Sequence, residues 1–244
     1  MTEPLLRHWG RRFLDLVYPR SCEHCGEVVE EGGGWKFLCA GCAARLDWIH
    51  PPVCETCGHP FPGIRGGASC EHCEALEPIF AAGRCCVLHR EVASTLVRHL
   101  KYRHARHLLP DLAHLAGRVP AVVEHVRDAV LVPVPLHPTR LRERGFNQSA
   151  LLAEAWDRVL PSSGWAELLR RSGWTQTQTR LPREARRTNV RRAFELRPGV
   201  EVRPDLTYVV VDDVFTTGST MNECCRVLRQ AGARSLRVLA LAHG

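Results

Sequence analysis

The sequence predicts an α/β protein: a central parallel sheet flanked by helices, with a small cysteine-rich module in front of it. Two observations lead to this prediction. After residue 83, short apolar segments rich in β-branched residues alternate with segments of helical periodicity, which is typical of a parallel sheet covered on both faces. Before residue 80, four Cys-x-x-Cys pairs follow one another. We therefore predict two domains, residues 1–80 and residues 81–244.

The elements can be predicted in chain order from apolar periodicity. Residues 3–17 have apolar positions near helical spacing, which predicts a short amphipathic helix that packs on its neighbour. The predicted strands are residues 83–88, 129–134, 206–211 and 235–242. The predicted helices are residues 90–101, 105–126, 147–159 and 219–231. A break is expected near residues 102–105, a Pro-rich loop follows the second strand, and Gly232 is a typical residue at a helix C-terminus.

Length and composition exclude several classes of protein. The 244 residues are 45% apolar and 24% charged, which is ordinary for a globular chain and excludes disorder over most of it. No apolar run approaches the roughly 18 residues of a membrane span. Glu3, Arg11 and Arg12 interrupt the N-terminal apolar stretch, so we expect no signal peptide. We therefore expect a cytoplasmic protein without membrane insertion, where clustered cysteines are metal ligands rather than disulfides.

The net charge of +7 averages two opposite regions. Residues 1–82 carry a net charge of −4, whereas residues 83–244 carry +11. Nearly all the basic residues are arginines; Lys36 and Lys101 are the two lysines. Such a basic region indicates a partner that carries phosphate.

Eight cysteines have the spacing of metal ligands. A Cys-x-x-Cys turn lets two thiolates reach one metal ion, and two such turns complete a closed tetrahedral Zn2+ site. The spacings, Cys-x2-Cys-x13-Cys-x2-Cys and then Cys-x2-Cys-x12-Cys-x2-Cys, resemble those of zinc ribbons. The predicted ligands are Cys22, Cys25, Cys39, Cys42, Cys54, Cys57, Cys70 and Cys73.

We expect two structural zinc ions, each bound by two consecutive pairs. Interleaved pairing would also satisfy tetrahedral geometry, and the same cysteines would also suit a single degenerate site or redox dithiols. The histidines near these pairs, His24, His59 and His72, are predicted to be solvated rather than ligands. A closed four-cysteine site leaves no open position, so its role is stability or docking. The other four cysteines, which are Cys85, Cys86, Cys224 and Cys225, are predicted to be small buried residues.

The strongest chemical motif is Val-Val-Val-Asp-Asp-Val-Phe-Thr-Thr-Gly-Ser-Thr at residues 209–220. An apolar strand brings Asp212 and Asp213 to its C-terminal end, where α/β sheets bind ligands. The amides and hydroxyls of the next residues form an anion-binding site at the start of a helix. These loop residues are Thr216, Thr217, Gly218, Ser219 and Thr220. A sugar phosphate would satisfy both parts, whereas a merely capped helix does not explain two adjacent aspartates.

This motif resembles the signature of type I phosphoribosyltransferases, and further segments resemble the ComF family. These segments are Leu-Lys-Tyr at 100–102, Pro-Val-Pro-Leu-His-Pro at 133–138, Arg140, Arg-Gly-Phe-Asn-Gln at 144–148, and the pattern Gln178…Leu181…Arg187-x-Asn189…Ala193-Phe194. ComF proteins combine a double zinc ribbon with a phosphoribosyltransferase-like domain, and some serve DNA uptake in natural competence. The resemblance covers residues 5–243 and implies the type I phosphoribosyltransferase fold. One departure is Arg103-His104, where the family usually has a basic residue and then glycine.

The resemblance also implies roles for single residues. Asp212 and Asp213 should bind the ribose hydroxyls of phosphoribosyl pyrophosphate (PRPP), and residues 216–220 should bind its 5′-phosphate. The loop at residues 134–144 takes the place of the pyrophosphate site, with Mg2+ bridging pyrophosphate and ribose oxygens. The candidate catalytic residues are Asp212, Asp213, Lys101 and Arg187. The candidate ligand-binding residues outside the 209–220 motif are Val134, Pro135, Arg140, Arg144, Asn147, Gln178 and Asn189.

Eight arginines lie between residues 170 and 192, with Glu184 as the one acidic residue among them. Charge of one sign repels itself unless an anion is bound, and the guanidinium fork suits phosphate oxygens. Pyrophosphate and a nucleic-acid backbone are both candidates; a solvated charged face is the alternative.

Three functions remain open at this point. In the first, a nitrogen nucleophile attacks the anomeric carbon of PRPP and pyrophosphate leaves; the sequence does not identify the acceptor. In the second, the chain is a competence adaptor that binds single-stranded DNA or contacts the DNA-uptake machinery without turnover. The third is a PRPP sensor, which uses the same pocket as the first.

Overall fold

The computed structural model describes residues 19–30, 32–61, 70, 73, 76–172 and 193–244. In these ranges the helices are α1 (Ala40–Ala44), α2 (Glu91–Tyr102), α3 (Leu109–Gly117), α4 (Pro120–His125), α5 (Pro138–Arg144), α6 (Gln148–Asp157) and α7 (Ser219–Gln230). The strands are β1 (Ala82–Leu88), β2 (Ala129–Pro133), β3 (Leu169–Arg171), β4 (Phe194–Leu196), β5 (Thr207–Phe215) and β6 (Ser235–His243). The helix predicted at residues 3–17 lies outside the described residues.

Four strands form a parallel sheet in the order β1-β6-β5-β2. Both of its edges are covered. At the β1 edge, Trp48 forms an antiparallel bridge with Val87, and Ile49 N–H donates to the Cys86 carbonyl. At the β2 edge, the Leu131 N–H donates to the Gly164 carbonyl. These contacts pair part of the backbone at each edge of the sheet.

The two faces of the sheet have separate apolar clusters. Side chains alternate along β5, so Val209 and Val211 face one cluster while Val210 faces the other. The first cluster includes residues of α2, α3 and α6, and the second includes α7, β3 and β4. The cysteine-rich region contributes to both, with Leu38 in the first cluster and Phe80 in the second. The N-terminal module therefore packs on both faces of the sheet.

The predicted fold class is confirmed as a central parallel sheet flanked by helices and preceded by a cysteine-rich module. The single helix predicted at residues 105–126 is wrong: the segment is a 3-10 turn (Arg106–Leu108), α3 and α4. Pro120 begins α4 and has no N–H to continue α3. The Pro-rich loop contains α5, because Pro138 is at its first position and the His137 ring accepts a hydrogen bond from the Thr139 N–H.

The antiparallel pair β3–β4 was not predicted, because each strand has only three residues. Across the part of the chain described above, no helix has both the length and the apolar character needed to cross a bilayer. The domain boundary near residue 80 stays a prediction.

Candidate functional site

The acidic pair lies within β5, just beyond the point where its neighbour β2 ends. The β2–β5 ladder ends at Pro133 opposite Val211, and the Val134 N–H donates to the Val211 carbonyl. On the other side, β5 continues to pair with β6 through Phe215. The strand is therefore longer than the predicted 206–211. One edge of β5 is open next to the two carboxylates, at the carboxyl end of the sheet where ligands bind in this fold class.

Asp213 is buried, and its carboxylate forms an ion pair with Lys101 on α2. From the sequence, Lys101 was a candidate catalytic residue. In the structure its ammonium contacts Asp213, which compensates part of the cost of burying that carboxylate. An incoming anion would therefore have to share Lys101 with Asp213.

Asp212 accepts hydrogen bonds from the Ser149 hydroxyl at 2.8 Å and from the Asp213 backbone N–H at 2.9 Å. Burial and the nearby charge of Asp213 raise its pKa to about 7, although Lys101 and these hydrogen bonds oppose the shift. Asp212 is therefore balanced between its protonated and ionised forms near neutral pH.

The loop after β5 requires glycine at position 218. Gly218 has φ = 71°, and a β-carbon there would lie 2.4 Å from the Phe215 ring and 2.9 Å from the Leu76 side chain. A left-handed backbone without room for a side chain is a position for glycine. Gly218 has no side chain to cap α7, and the Ser219 N–H makes only a long contact of 3.5 Å with the Thr217 hydroxyl, so the first amides of the helix can still turn to a ligand. The hydroxyls of Thr217 and Ser219 lie 3.0 Å apart beside them. Amides and hydroxyls arranged in this way fit an oxyanion.

The loop predicted to bind pyrophosphate is held by its own side chains. The Asn147 amide donates to the Val134 carbonyl at 3.0 Å and accepts from the Ser149 N–H at 3.1 Å. The buried Arg144 donates to the Gln148 side chain at 3.0 Å, and its guanidinium stacks on the ring of Tyr102. Asn147 and Arg144 therefore shape the loop in this structure.

The remaining predicted site residues have different positions. Pro135 is buried beside Val134, whereas Arg140 is half-exposed on α5. Among the predicted arginines of this loop, Arg140 is thus the more accessible to an anion. Arg187, Gln178 and Asn189 lie outside the described residues.

One further residue at the site, His89, was not predicted from the sequence. It directly follows β1, and its backbone N–H donates to the His243 carbonyl at 2.7 Å. Burial and the positive charge of Lys101 lower its pKa, while Asp213 opposes the shift. The imidazole is thus kept neutral beside the Lys101–Asp213 pair. Its position immediately after an apolar strand was the signal that could have found it.

A cavity of about 380 Å3 adjoins the loop. Pro135 and Asn147 contribute to its wall, together with the half-exposed indole of Trp165 and with Arg171 of β3. The burial of Arg171 lowers its pKa, while nearby Asp212 opposes this effect. The cavity therefore lies between the loop predicted to bind pyrophosphate and β3.

The cysteine pairs form two four-thiol clusters in the predicted order. Cys22, Cys25, Cys39 and Cys42 form the first cluster and Cys54, Cys57, Cys70 and Cys73 the second, with the sulfur atoms of each within 4.8 Å of one another. Close Sγ–Sγ distances range from 3.3 to 3.6 Å. Tetrahedral Zn2+ with bonds of about 2.3 Å needs sulfurs ~3.8 Å apart, so both sets fit the ion. All twelve cysteines are free thiols, and pairing of consecutive turns is confirmed.

One thiol of each cluster is prepared for ionisation. Burial opposes the ionisation of Cys54, but hydrogen bonds from the backbone N–H groups of Cys57 and Cys70 lower its pKa to about 7. In the first cluster, backbone N–H groups have the same effect on Cys22, again against burial, with a pKa of about 7. A thiol that loses its proton readily suits the first ligand to a metal ion.

The zinc module contacts the sheet domain through polar side chains. Glu23, next to Cys22, binds the rings of His99 and His107 at 2.7 Å each. The buried Asp111 of α3 accepts the backbone N–H groups of Lys36 and Phe37, both at 2.7 Å. The first cluster is thus fixed to α2 and α3 by charge-assisted hydrogen bonds.

His24 and His59 belong to neither ligand cluster, as predicted, but both are half-buried rather than fully solvated. His24 contacts the Thr95 hydroxyl at 3.2 Å, and the His59 and His243 rings are 4.7 Å apart. Both side chains pack against the sheet domain, which a reading of local spacing could not reveal. His72 lies outside the described residues. Cys85, Cys86, Cys224 and Cys225 are buried, as predicted.

A family model described as a double zinc ribbon domain matches residues 13–87. Competence protein F of Haemophilus influenzae is 30% identical over 227 residues, which cover 91% of this chain and 96% of that protein. DNA utilization protein YhgH of Escherichia coli K12 is 31% identical over 235 residues, which cover 93% of this chain and 99% of that protein. Competence protein ComFC of Bacillus subtilis is 25% identical over 231 residues, covering 88% and 91%.

Two solved structures are similar to part of this chain at low identity. A hypoxanthine phosphoribosyltransferase from Staphylococcus aureus is 10% identical, with a TM-score of 0.32 over 57% of this chain and 64% of that one. A structure described as the allosteric regulatory enzyme of purine biosynthesis is 20% identical, with a TM-score of 0.31 over 55% of this chain and 24% of that one.

The zinc-ribbon match accounts for the two cysteine clusters, and the relatives extend over the α/β domain as well. Since identity of 30% with Competence protein F continues over nearly the full length of both proteins, this chain belongs to the ComF family.

Proposed function

We propose that this protein binds PRPP with Mg2+ at the open edge of β5 and transfers or senses its phosphoribosyl group. The observation that carries the proposal is the juxtaposition of Asp212 and Asp213 with the N-terminal end of α7, where β2 has ended. The carboxylates would accept hydrogen bonds from the ribose hydroxyls, while residues 216–220 bind the 5′-phosphate.

The oxygen-rich acidic pair also fits Mg2+, which prefers oxygen ligands and usually shares them with substrate phosphates. Asp212 and Asp213 would hold the ion near the ribose, where it would neutralise charge on the leaving pyrophosphate. Lys101 and Arg140 are the cations of the described site that would contact the pyrophosphate oxygens. In transfer, a bond forms between the acceptor nitrogen and the anomeric carbon, and the bond to pyrophosphate oxygen breaks.

Calorimetry with PRPP and Mg2+ tests the proposal. We expect Asp212→Asn combined with Asp213→Asn to weaken PRPP binding by about two orders of magnitude, because two charge-assisted hydrogen-bonding groups are lost. Asp205→Asn is the matched control, since Asp205 lies just before β5 and pairs with Arg203 on the surface. Binding that is equal in all three proteins would contradict the site. Release of pyrophosphate with a panel of nitrogen acceptors separates transfer from sensing.

A second candidate function is binding of single-stranded DNA, favoured by a surface patch beside Lys101 in which one exposed tyrosine lies among cations. Tyr102 is 63% exposed, with the Arg144 guanidinium 4.9 Å from its ring centre. Arg103 and His104 are exposed next to it, and the Arg106 guanidinium lies 4.6 Å from the ring of a neighbouring phenylalanine. An exposed aromatic ring among cations suits a stacked base and a phosphate backbone. The names of the relatives, which refer to competence and DNA utilization, agree with this alternative.

The DNA-binding alternative predicts a steep dependence on salt. We expect Tyr102→Ala and Arg103→Ala each to weaken binding of an oligothymidine in fluorescence anisotropy, with the arginine variant also reducing the salt slope. Arg127→Ala is the control, because Arg127 is a surface arginine already paired with Glu124. Unchanged affinity in the two patch variants would contradict this role.

We further propose a cytoplasmic location, because thiolate clusters persist in a reducing compartment.

A further inference from the structure

The second cysteine cluster is connected to residues 216–220, here called the phosphate loop, by a short segment that begins at its last cysteine, Cys73. The Leu76 N–H donates to the Cys73 carbonyl at 2.8 Å. The Leu76 side chain then packs against Gly218, so closely that a β-carbon at that glycine would lie 2.9 Å from it. Leu76 is therefore three residues after the ligand Cys73 and contacts the turn of the phosphate loop directly.

Asn222 fixes this segment to α7. Its side-chain oxygen accepts the Ile79 N–H at 2.8 Å, and its amide nitrogen donates to the Glu77 carbonyl at 2.8 Å. Its own backbone N–H donates to the Gly218 carbonyl at 2.9 Å. One residue, a single turn into the helix, thus holds both the segment after Cys73 and the turn of the loop.

We propose that Asn222 is a positioning residue that couples zinc retention by the second cluster to phosphate binding by residues 216–220. This inference rests on the proposed function, since it needs a ligand at that loop. The four ligands of this cluster are buried, and zinc is what would cross-link them. Loss of the ion frees the segment after Cys73, and the phosphate loop then loses the Leu76 contact that supports Gly218. Because coupling between two binding sites is reciprocal, a bound phosphate ligand must also slow the loss of zinc.

The first cluster serves as an internal control for this coupling. It packs with the opposite apolar cluster, on the face of the sheet away from α7. Its polar contacts, such as Glu23 with His99, join it to α2, which reaches the acidic pair through Lys101 and Asp213 rather than residues 216–220. No contact within the described residues joins it to the phosphate loop. A ligand at residues 216–220 should therefore protect the second cluster more than the first.

Thiol alkylation of the zinc-loaded protein, resolved by peptide mass spectrometry, tests the coupling. With PRPP and Mg2+ at saturation, we expect alkylation of the second cluster to slow by at least about fivefold, the lower end of typical coupling between sites. Asn222→Ala should remove this protection while both zinc ions are still present at the start. Asn222→Asp, which keeps the acceptor for Ile79 but cannot donate to Glu77, should retain part of it. Arg226→Ala is the matched control on α7, because Arg226 pairs with Glu223 and Gln230 instead.

Calorimetry on the same samples separates the possible failures. If wild-type protein binds no PRPP, the proposed function fails and the coupling fails with it. If PRPP binds but the second cluster is not protected, or if Asn222→Ala keeps full protection, the coupling alone is overturned. If Asn222→Ala folds poorly, Asn222→Asp tests the coupling instead: partial loss of the protection supports it, and full protection overturns it.

Discussion

At the scale of single residues, Asp212 has the most unusual environment. Its pKa of about 7 in the folded protein is far above its ordinary value of 3.8, because burial and Asp213 disfavour the second negative charge. The folded state therefore holds this proton more tightly than the unfolded chain does. As the pH rises from about 4 to 7, the free energy of unfolding must fall, and the loss is complete above pH 7.

Asp212→Asn should show this effect directly. The amide oxygen can still accept from the Ser149 hydroxyl, whereas the buried negative charge is gone. We expect the variant to have a higher midpoint of urea unfolding than the wild type at pH 8, and no such gain at pH 5. An equal shift at both pH values would show that the proton of Asp212 is not responsible.

Gly218 allows a second prediction at this scale, because Gly145 has the same φ of 71° without crowding. Around Gly145, no heavy atom of the described structure lies within 4 Å of an added β-carbon. Gly145→Ala should therefore cost only the left-handed backbone penalty of about 1 kcal/mol. Gly218→Ala adds the clash with Phe215 and Leu76, so we expect about 2–4 kcal/mol in all. Equal losses in urea unfolding would contradict the close packing of this turn.

At the scale of elements, α2 joins the first cysteine cluster to the acidic pair. His99 binds Glu23 of the zinc module, and Lys101, two residues later, pairs with Asp213. Burial opposes ionisation of Glu23, but hydrogen bonds from His99 and His107 lower its pKa below the ordinary range. The Glu23 carboxylate is therefore ionised where it accepts hydrogen bonds from the His99 and His107 rings.

Glu23→Gln should weaken this connection. The amide keeps the size of the side chain but loses the charge that strengthens both hydrogen bonds, so we expect a loss of about 1–3 kcal/mol in the free energy of unfolding. Glu27→Gln, at an exposed position of the same turn, is the control and should change little. If the two variants unfold alike in urea, Glu23 contributes nothing to docking.

The elements that could be predicted were those with long or regular patterns. The strands β2, β5 and β6 are apolar enough on both faces to indicate buried parallel strands, and α7 has a clear helical period. Helix α5 and the β3–β4 pair are too short to show a period. The contact of Lys101 with Asp213 could not be predicted, because it depends on how α2 packs against the sheet. The same holds for Glu23 and His99, whereas the cysteine ligands followed from local spacing alone.

At the scale of the whole molecule, two regions of opposite charge form one packed structure. Two four-thiolate zinc sites, each with a net charge of −2, would change residues 1–82 from −4 to about −8. This acidic module lies against a sheet domain of charge +11, with Glu23 and Asp111 at their contacts. A partner that carries phosphate would therefore meet the surface of the basic region that the module leaves exposed.

Because the zinc module covers both faces of the sheet and the β1 edge, metal loss should affect the α/β domain as well. Cys57→Ala removes one ligand of the second cluster, while Cys225→Ala removes an equally buried thiol that lies in neither cluster. We expect Cys57→Ala to bind one zinc ion instead of two and to lower the melting temperature of the whole chain, since structural zinc contributes directly to folding. Cys225→Ala should keep both ions and lose only the small packing contribution of its side chain. Loss of zinc from Cys57→Ala with an unchanged melting transition of the sheet domain would contradict this coupling, since the module would then fold independently of the sheet.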